Sequence, residues 1–288
     1  MFDEVHNVRY LFDETMEKVY HKSIANMKQH LSDYMYESLV FEHSRPGEVD
    51  LRRNCKITYK NLGLTLLQCP EFEYEHSFQL YRDLFPDLKG SVVFDCGACC
   101  GLDAILFTRE GAKHVYCLEP DSKNFENLHL NTQGYPITCI QKALFNNDGH
   151  VEFSSENSQG SMVLGKTIDI PIEQLKSVRK CESIKVECVT LDTMVLKYGM
   201  PDIVKIDIEG AEYDLVDSMN SVLEHGVPVL FEIHQRVQKI EHYDRLVKYI
   251  ESFGYTVTLH PNELLGDHIL CVAPSRQKSD ASPVEQSP

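Results

Sequence analysis

The sequence predicts an α/β protein built on a doubly wound, mostly parallel sheet. Between residues 91 and 273, short β-branched apolar runs alternate with stretches of helical spacing, which is typical of parallel strands covered on both faces. A turn with two glycines follows the first of these runs. The chain closes with two neighbouring strand patterns, at 254–260 and 266–273, whose short connection predicts an antiparallel pair.

Four segments organise the chain. Residues 1–50 carry apolar residues at helical intervals, which predicts two helices in an N-terminal extension. Residues 51–90 predict a small β-hairpin that turns at Asn61–Gly63, followed by a helix that leads into the core. Residues 91–274 form the predicted main domain. Residues 275–288 have too few apolar side chains to pack, which predicts a disordered tail.

Length and composition are those of an ordinary globular protein, with 288 residues, 42% hydrophobic and 25% charged. Such a chain suits one large α/β domain with appendages, or two small domains. The net charge of −16 comes from 44 acidic residues against 28 Lys and Arg, and no Lys/Arg-rich run gathers the cations. A nucleic-acid partner is not expected, because such a chain repels a phosphate backbone.

The sequence predicts neither export nor a membrane span. The first residues, "MFDEVHNVRYLFDETMEK", have acidic side chains where a signal peptide needs cations, and they lack a continuous apolar core. No run reaches the roughly 18 consecutive apolar residues that a membrane helix needs. Ten cysteines without a secretory signal predict a cytoplasmic protein with mostly free thiols.

The stretch "VVFDCGACCG" at 92–101 contains the first candidate site. A chain that leaves a parallel strand for a helix turns sharply at the carboxyl edge of the sheet, where ligands of open α/β sheets bind. Asp95 ends the predicted strand, and Gly97 and Gly101 permit the turn. The pattern D-x-G-x-x-x-G is compatible with a ligand-binding turn and with a plain tight turn.

The same turn carries three cysteines, Cys96, Cys99 and Cys100. A closed tetrahedral zinc site needs a second Cys or His pair at suitable spacing, which the sequence does not provide. Buried or half-buried thiols that bind no metal are therefore the expectation.

A second candidate lies at the end of the next predicted strand, "HVYCLE", which ends in Glu119 and is followed by Pro120. An acidic side chain at this place can accept hydrogen bonds from two ribose hydroxyls, as in dinucleotide-binding folds. The alternative role is to stabilise the start of the following helix, by a few tenths of a kcal/mol up to about 1. Because Asp121 already suits that role, ribose binding by Glu119 is favoured.

Four motifs in fixed order resemble those of the FkbM-type methyltransferases, class I enzymes that depend on S-adenosylmethionine. The motifs are "VVFDCGACCG", "VYCLEPDSKNFENLHLN", "ALFNNDGHVEF" and "DIVKIDIEGAEYDLV…VPVLFEI". The resemblance runs from about Glu75 to Ala273. It implies a Rossmann-like sheet of seven strands whose last pair forms a β-hairpin, and O-methylation of a small molecule or sugar. Cys99 and Cys100 depart from the Asn and apolar residue that the family often has there.

In the central strand pattern "DIVKIDIEG", Lys205, Asp207 and Glu209 fall on one side by the period of two. Charged groups in so apolar a run need partners, so a structural ion pair between Lys205 and Asp207 is one interpretation. Asp207 and Glu209 also lie at the predicted carboxyl edge. There they are candidates to bind the cationic methionine moiety of the cofactor or to orient the acceptor.

His234 follows the next strand pattern, "VPVLFEI", at the same predicted edge. Methyl transfer from a sulfonium is an in-line displacement, so holding donor and acceptor close supplies most of the acceleration. A hydroxyl acceptor also loses its proton, and histidine is the usual base near neutral pH. His234 is thus a candidate catalytic base beside Asp207 and Glu209. A polar surface histidine, or ligation of Mg²⁺ or Mn²⁺ by these three residues, are the alternatives.

The sequence thus predicts an enzyme that transfers a methyl group from S-adenosylmethionine to a hydroxyl of a small molecule or sugar. The alternatives are an NAD-dependent oxidoreductase, and a catalytically silent cofactor-binding protein that holds a protein partner, or a second copy of itself, through residues 1–50. The family resemblance also implies that Glu75, in the helix before the first strand, reaches the cofactor's amino group. The residues expected to bind the cofactor are Glu75, Asp95, Gly97, Ala98, Gly101, Glu119, Pro120 and Asp207.

Overall fold

The structure is a computed structural model of the chain. It describes residues 2–3, 8–9, 39–43, 55–59, 63–68, 85, 87–155, 162–163, 182–233, 240–260 and 267–272. Two predicted site residues, Glu75 and His234, lie outside the described residues. So do the helix predicted between Glu71 and Phe85, except Phe85 itself, and the C-terminal tail.

The described strands and helices of the main sheet follow the order that the sequence predicts. The strands are β1 Phe2–Asp3, β2 Val8–Arg9, β3 Leu39–His43, β4 Cys55–Tyr59, β5 Leu64–Gln68, β6 Val92–Cys96, β7 His114–Leu118, β8 Ile137–Ile140, β9 Ala143–Leu144, β10 Gly149–Ser155, β11 Met162–Val163, β12 Glu182–Val189, β13 Ile203–Ile206, β14 Val229–Ile233, β15 Thr256–His260 and β16 Asp267–Val272. The helices are α1 Leu102–Arg109, α2 Ser122–Asn131, α3 Leu191–Tyr198, α4 Asn220–Glu224 and α5 Ile240–Ser252, with a 3-10 helix at Glu212–Leu215.

The largest sheet has the strand order β15-β16-β14-β13-β6-β7-β8. Its five strands β8, β7, β6, β13 and β14 pair in parallel. Strand β16 runs antiparallel to β14 and to β15. The predicted α/β fold with a parallel sheet is confirmed. The strand order reverses next to β6, because the chain continues through β7 and β8 on one side of it and through β13 and β14 on the other. The carboxyl ends of β6, β7 and β13 therefore meet at one place on the edge of the sheet.

The parallel strands are apolar because both of their faces are covered. Every residue of β13 and β14 is buried. Along β6, Val93 packs into one hydrophobic cluster together with residues of α1, and Phe94 packs into a second cluster that also contains residues of α3 and α5. Successive side chains of a strand point to opposite faces, so the alternation of β6 holds helices on both sides of the sheet.

A small antiparallel sheet, β3-β4-β5, precedes the main domain. Its β4–β5 pair confirms the hairpin predicted in this segment, with Tyr59 opposite Leu64. Strand β3 adds to this hairpin from the other side of residue 50, so the sheet crosses the predicted boundary between the first two segments. A second small sheet, β11-β10-β12-β9, has no counterpart among the predicted elements.

One part of the predicted N-terminal helices is wrong. The helical spacing that starts at Val8 predicts a helix there, but Val8–Arg9 forms a strand that pairs with Phe2–Asp3. Strand pairing here overrides the helical spacing, since pattern and propensity are weak against tertiary contacts. The rest of the two predicted helices, from Leu11 to Tyr34, lies outside the described residues.

Within the described part of the chain, no helix has the length and apolar character needed to cross a bilayer.

Candidate active site

The turn that follows β6 lies at the carboxyl edge of the main sheet and is bound to both neighbouring strands. The backbone N–H groups of Gly97 and Ala98 both donate to the carbonyl oxygen of Leu118 in β7, at 2.9 and 3.0 Å. On the other side, the N–H of Asp207 donates to the carbonyl of Cys96 at 2.9 Å. The turn is therefore fixed between the ends of β7 and β13, as the sequence predicts for the first candidate site.

Gly97 is a glycine because another backbone comes too close for a side chain. Its φ is +84°, and a Cβ built on it would lie 1.6 Å from the carbonyl oxygen of Asp207. Gly101 has φ +91°, and its Cβ would lie 2.7 Å from the Cδ1 of Leu128 in α2. Gly97 thus lets β13 end against the turn, and Gly101 lets α2 pack against the start of α1.

Glu119 follows β7 directly and holds two separate pieces of backbone. Its Oε2 accepts a hydrogen bond from the N–H of Cys99 at 2.8 Å, and its Oε1 accepts one from the N–H of Asp121 at 2.9 Å. The side chain is buried, at 5% exposure. Asp121 in turn caps α2 by accepting from the N–H groups of Lys123 and Asn124. Asp121 therefore caps α2, as the sequence predicts. Glu119 links this cap to the glycine turn.

Lys205 lies beneath the same turn and faces three carboxylates. Its Nζ is 3.1 Å from Oδ2 of Asp103, 3.4 Å from Oδ1 of Asp95 and 3.5 Å from Oδ2 of Asp207. It also donates to the carbonyl of Gly97 at 3.4 Å. Lys205 is only 4% exposed, so these contacts form in a region of low dielectric where charges interact strongly. The ion pair predicted between Lys205 and Asp207 is one side of this larger cluster, which we call the Lys205 cluster: Asp95, Asp103, Lys205 and Asp207.

Asp95 is the most deeply buried member of the Lys205 cluster, at 0% exposure. Neither of its carboxylate oxygens accepts a hydrogen bond from the described residues. Burial raises the pKa of Asp95 from 3.8 to about 6, although Lys205 lowers it and Asp103 and Asp207 raise it further. An ionised carboxylate at this depth is costly unless a positive charge lies near, which Lys205 supplies.

A second turn follows β13 and has its own carboxylate. Glu212 is fully buried, and its Oε1 accepts from the N–H of Ile208 at 3.0 Å and of Gly210 at 3.2 Å. Glu209 lies in this turn with φ +56°, a left-handed conformation uncommon for a residue with a side chain. The expectation that Glu209 shares a strand face with Lys205 and Asp207 is wrong, because β13 ends at Ile206 and the chain turns before Glu209.

Residues 95–257 match the family model of the Methyltransferase FkbM domain, which covers more than half of the chain. The matched range begins at Asp95 and includes the glycine turn, Glu119, the Lys205 cluster and the turn after β13. The chain belongs to the FkbM methyltransferase family. The resemblance found in the four sequence motifs is therefore confirmed.

Several solved structures are similar in fold to this FkbM methyltransferase at low sequence identity. The ribosomal protein L11 methylase of Lactobacillus delbrueckii subsp. bulgaricus is 14% identical with a TM-score of 0.42, over 70% of this chain and 80% of that one. An rRNA methylase of Streptococcus thermophilus is 13% identical with a TM-score of 0.41, over 70% and 99%. Precorrin-6y C5,15-methyltransferase of Geobacter metallireducens is 10% identical with a TM-score of 0.43, over 73% and 94%. No curated protein matches the chain significantly in sequence.

The structure brings most of the predicted site residues of this FkbM methyltransferase to one edge. The residues that lie there together are Asp95, Gly97, Ala98, Gly101, Glu119, Pro120, Asp207 and Glu209. Glu75 and His234, which lie outside the described residues, stay predictions. His234 directly follows Ile233, the last residue of β14, and β14 pairs with β13 in parallel.

The thiols near the site are buried. Cys96, Cys100 and Cys117 are buried, Cys99 is half-buried, and none of the four forms a disulfide with a described residue. Burial, together with the charge of Asp95, raises the pKa of the Cys96 and Cys117 thiols far above the usual range, which keeps them protonated and unreactive at neutral pH. Among the described residues, no group of three or more His, Cys, Asp or Glu side chains has an arrangement that could hold a metal ion.

Three residues that support the site were missed by the sequence predictions. Asp103 joins the Lys205 cluster from the first turn of α1, and Glu212 holds the turn after β13. Asn131, at the end of α2, exchanges hydrogen bonds with the backbone of Leu67 and donates to the carbonyl of Cys100, so it links β5 to the glycine turn. Only Asp103 had a usable signal, an acidic residue just after the glycine turn.

Proposed function

We propose that this FkbM methyltransferase transfers a methyl group from S-adenosylmethionine to a hydroxyl oxygen of a small molecule or sugar. The observation that carries the proposal is the meeting of Glu119, Asp207 and the glycine turn at one carboxyl edge. Ligands of open α/β sheets bind at this place, where the strand order reverses. S-adenosylmethionine carries ribose hydroxyls and, on its methionine moiety, positively charged sulfonium and ammonium groups. Acidic side chains at this edge suit both.

Glu119 is the residue proposed to bind the cofactor's ribose. Its bonds to the N–H groups of Cys99 and Asp121 fix the orientation of the carboxylate, whose oxygens each carry two lone pairs that can accept hydrogen bonds. A carboxylate that accepts from hydroxyls forms bonds of about 1.5–3 kcal/mol each, stronger than bonds between neutral groups. The same bonds tie the carboxylate to the glycine turn, so ribose binding and the shape of the turn are coupled.

Asp207 is the residue proposed to bind the positive methionine end of the cofactor. Its side chain is 24% exposed, whereas Asp95 behind it is fully buried. Asp95 therefore acts on a ligand through its charge and not by direct contact. The methyl transfer itself is an in-line displacement, for which the residues at this edge hold donor and acceptor at reacting distance.

The acceptor's proton is proposed to go to His234, with Asp207 or Glu209 close by. The support is positional: His234 comes directly after β14, whose neighbour β13 carries Asp207 just past its end. A positioned base of this kind contributes about 10²–10⁴-fold to the rate. Ligation of Mg²⁺ or Mn²⁺ by the same three residues is the second candidate, and a chelator that abolishes activity would favour it.

A small acceptor is favoured over nucleic acid by the charge of the chain. The net charge of −16, without a run of Lys and Arg, repels a phosphate backbone. The acidic edge described above adds to that repulsion. A metabolite or sugar hydroxyl needs no such basic surface.

Calorimetry with S-adenosylmethionine and with NAD tests the cofactor. We expect binding of S-adenosylmethionine and no comparable affinity for NAD; saturation by NAD instead would indicate an oxidoreductase. Incubation with methyl-labelled cofactor and either metabolite extracts or total RNA then tests the acceptor. Label in a small molecule supports the proposal, and label in RNA refutes the small-molecule acceptor. Cofactor binding without turnover on any acceptor would favour the catalytically silent alternative.

A further inference from the structure

The Lys205 cluster is more than an ion pair, because three carboxylates face one ammonium group. The carboxylates come from three elements: Asp95 from β6, Asp103 from α1 and Asp207 from the turn after β13. Among the described residues, Lys205 is in contact with all three of them. It also donates to the carbonyl of Gly97, so it reaches the backbone of the glycine turn.

The charges in the Lys205 cluster do not balance within it. With every member ionised, negative charge exceeds positive charge, and the innermost carboxylate, Asp95, accepts no hydrogen bond from the described residues. The side chains of Asp103 and Asp207 keep 16% and 24% of their surface exposed, so the outer side of the cluster is open to a ligand. A positively charged ligand group would reduce the excess negative charge at this place.

We propose that Lys205 is a positioning residue that gathers the carboxylates of Asp95, Asp103 and Asp207 under the glycine turn, so that they attract the positive methionine end of the cofactor. This inference rests on the proposed function, because it takes S-adenosylmethionine as the ligand. Lys205 itself does not touch the cofactor. It acts through the three carboxylates.

The proton affinity of Asp95 supports this role and makes it measurable. Its pKa of about 6 is the outcome of burial, which raises it, and of Lys205, which lowers it, with Asp103 and Asp207 raising it. In the part of the chain that the structure describes, the other titratable groups that face Asp95 are the thiols of Cys96 and Cys117, and both stay protonated at neutral pH. Wild-type affinity for the cofactor should therefore hold near pH 7 and fall as the pH drops through about 6.

The test measures S-adenosylmethionine affinity by calorimetry between about pH 5 and pH 9 for the wild type and three variants. Lys205→Met removes the ammonium group that lowers the pKa of Asp95, so Asp95 gains a proton more easily. The acid limb, meaning the pH range in which affinity falls as the pH drops, should then move up by about one pH unit or more. A shift of one unit from about 6 should lower affinity at pH 7 about twofold and a shift of two units about tenfold, and in either case affinity should recover as the pH rises. Asp103→Asn removes a negative charge that raises the pKa of Asp95, so the acid limb should move to lower pH, the opposite direction. Lys185→Met, at an exposed lysine of β12, is the matched control and should match the wild type.

The results separate this inference from the proposed function. Failure of the wild type to bind S-adenosylmethionine would refute the proposed function itself. Wild-type binding together with an unmoved acid limb in Lys205→Met would assign Lys205 to structure alone and overturn the inference. If Lys205→Met does not fold, as its circular dichroism would show, Asp103→Asn decides the question, because an unchanged or upward-moved acid limb in that variant also overturns the inference.

Discussion

Two turns at the carboxyl edge of the main sheet are each stabilised by a glutamate, which comes from a different part of the chain in each case. The turn after β6 and the turn after β13 both contain residues with positive φ, and both are held by a buried glutamate that accepts backbone N–H groups. At the turn after β13, Glu212 is the first residue of the 3-10 helix that follows the turn, and it uses one oxygen for both bonds. In the turn after β6, Glu119 comes from the neighbouring strand and uses both oxygens, one for each of two segments.

The difference indicates which turn is affected when a ligand binds. The turn after β13 is held by a carboxylate from the segment that directly follows it, in addition to the bond from the Asp207 N–H to Cys96. The turn after β6 depends on a carboxylate that also ties β7 to α2, so anything that binds Glu119 acts on three elements at once. We therefore expect loss of the Glu119 carboxylate to alter cofactor binding and loss of the Glu212 carboxylate to alter mainly stability.

The largest effect is expected where the two turns touch. Gly97→Ala would place a Cβ 1.6 Å from the carbonyl oxygen of Asp207, in a backbone conformation that alanine rarely adopts. Because neither backbone can yield, the free energy of unfolding should fall by at least about 3 kcal/mol, as measured by urea denaturation. Gly134→Ala is the control, since Gly134 has φ +86° but nothing within 4 Å of its Cβ. A loss equal to that of the control would mean that φ alone requires the glycine at this position.

Removal of the second turn's carboxylate should cost less, and only in stability. Glu212→Ala leaves the N–H groups of Ile208 and Gly210 without their acceptor, and the free energy of unfolding should fall by about 2–3 kcal/mol. Glu212→Gln keeps an oxygen that can accept both bonds, so it should cost less than about 1 kcal/mol. Denaturation curves of the two variants measure the difference. Equal losses would show that the charge of Glu212, and not its oxygen, holds the turn.

The sequence predicted where this edge lies but not how its turns are held. The strands β6, β7, β13 and β14 were predicted within two residues at each end, because buried parallel strands leave short, continuous apolar runs. Acidic residues directly past those runs were expected to meet at the carboxyl edge, and Glu119 and Asp207 do so. The parts that could not be predicted depend on contacts between distant segments, such as the bonds of Asn131 to Leu67.

Local geometry explains the remaining errors. The two-residue period placed Glu209 with Lys205, but a period cannot show that a strand ends, and Glu209 lies in the turn at φ +56°. The sheet β11-β10-β12-β9 includes two strands of only two residues, which are too short to show a period. Gly210 was the available sign of the turn after β13, since its φ of +106° suits glycine.

Replacement of Asp95 sharpens the contrast between stability and function at the Lys205 cluster. The pKa of Asp95 is about 6 in the folded chain against 3.8 for an ordinary aspartate, so the native state holds this proton more tightly than the unfolded chain does. The contribution of Asp95 to stability is thus greatest below about pH 4 and is lost as the pH rises through about 6. At pH 7, Asp95→Asn should raise the free energy of unfolding by about 1–3 kcal/mol while weakening cofactor binding.

Thermal or urea unfolding at about pH 4 and pH 7 checks this prediction. The gain of Asp95→Asn over the wild type should be near zero at the lower pH and appear at the higher one. Asp87→Asn, at an exposed aspartate, is the control and should show no such dependence. A variant that is less stable than the wild type at pH 7 would mean that the attraction between Asp95 and Lys205 outweighs the cost of burying the carboxylate.

A modest effect on stability, and the most selective effect on function, is expected from Glu119→Gln. The amide has only one oxygen, so it can serve either Cys99 or Asp121, and its NH₂ group then faces the other N–H. The lost bond should lower the free energy of unfolding by about 1–2 kcal/mol. If the carboxylate also binds ribose hydroxyls, the dissociation constant for S-adenosylmethionine should rise about tenfold or more, since each charge-assisted bond contributes about 1.5–3 kcal/mol. Glu212→Gln is the matched control, because it makes the same chemical change at a buried glutamate of the other turn and should leave that constant nearly unaltered. Calorimetry on both variants, under conditions where both are folded, decides the matter: equal affinities in the two would reduce Glu119 to an acceptor of backbone N–H groups.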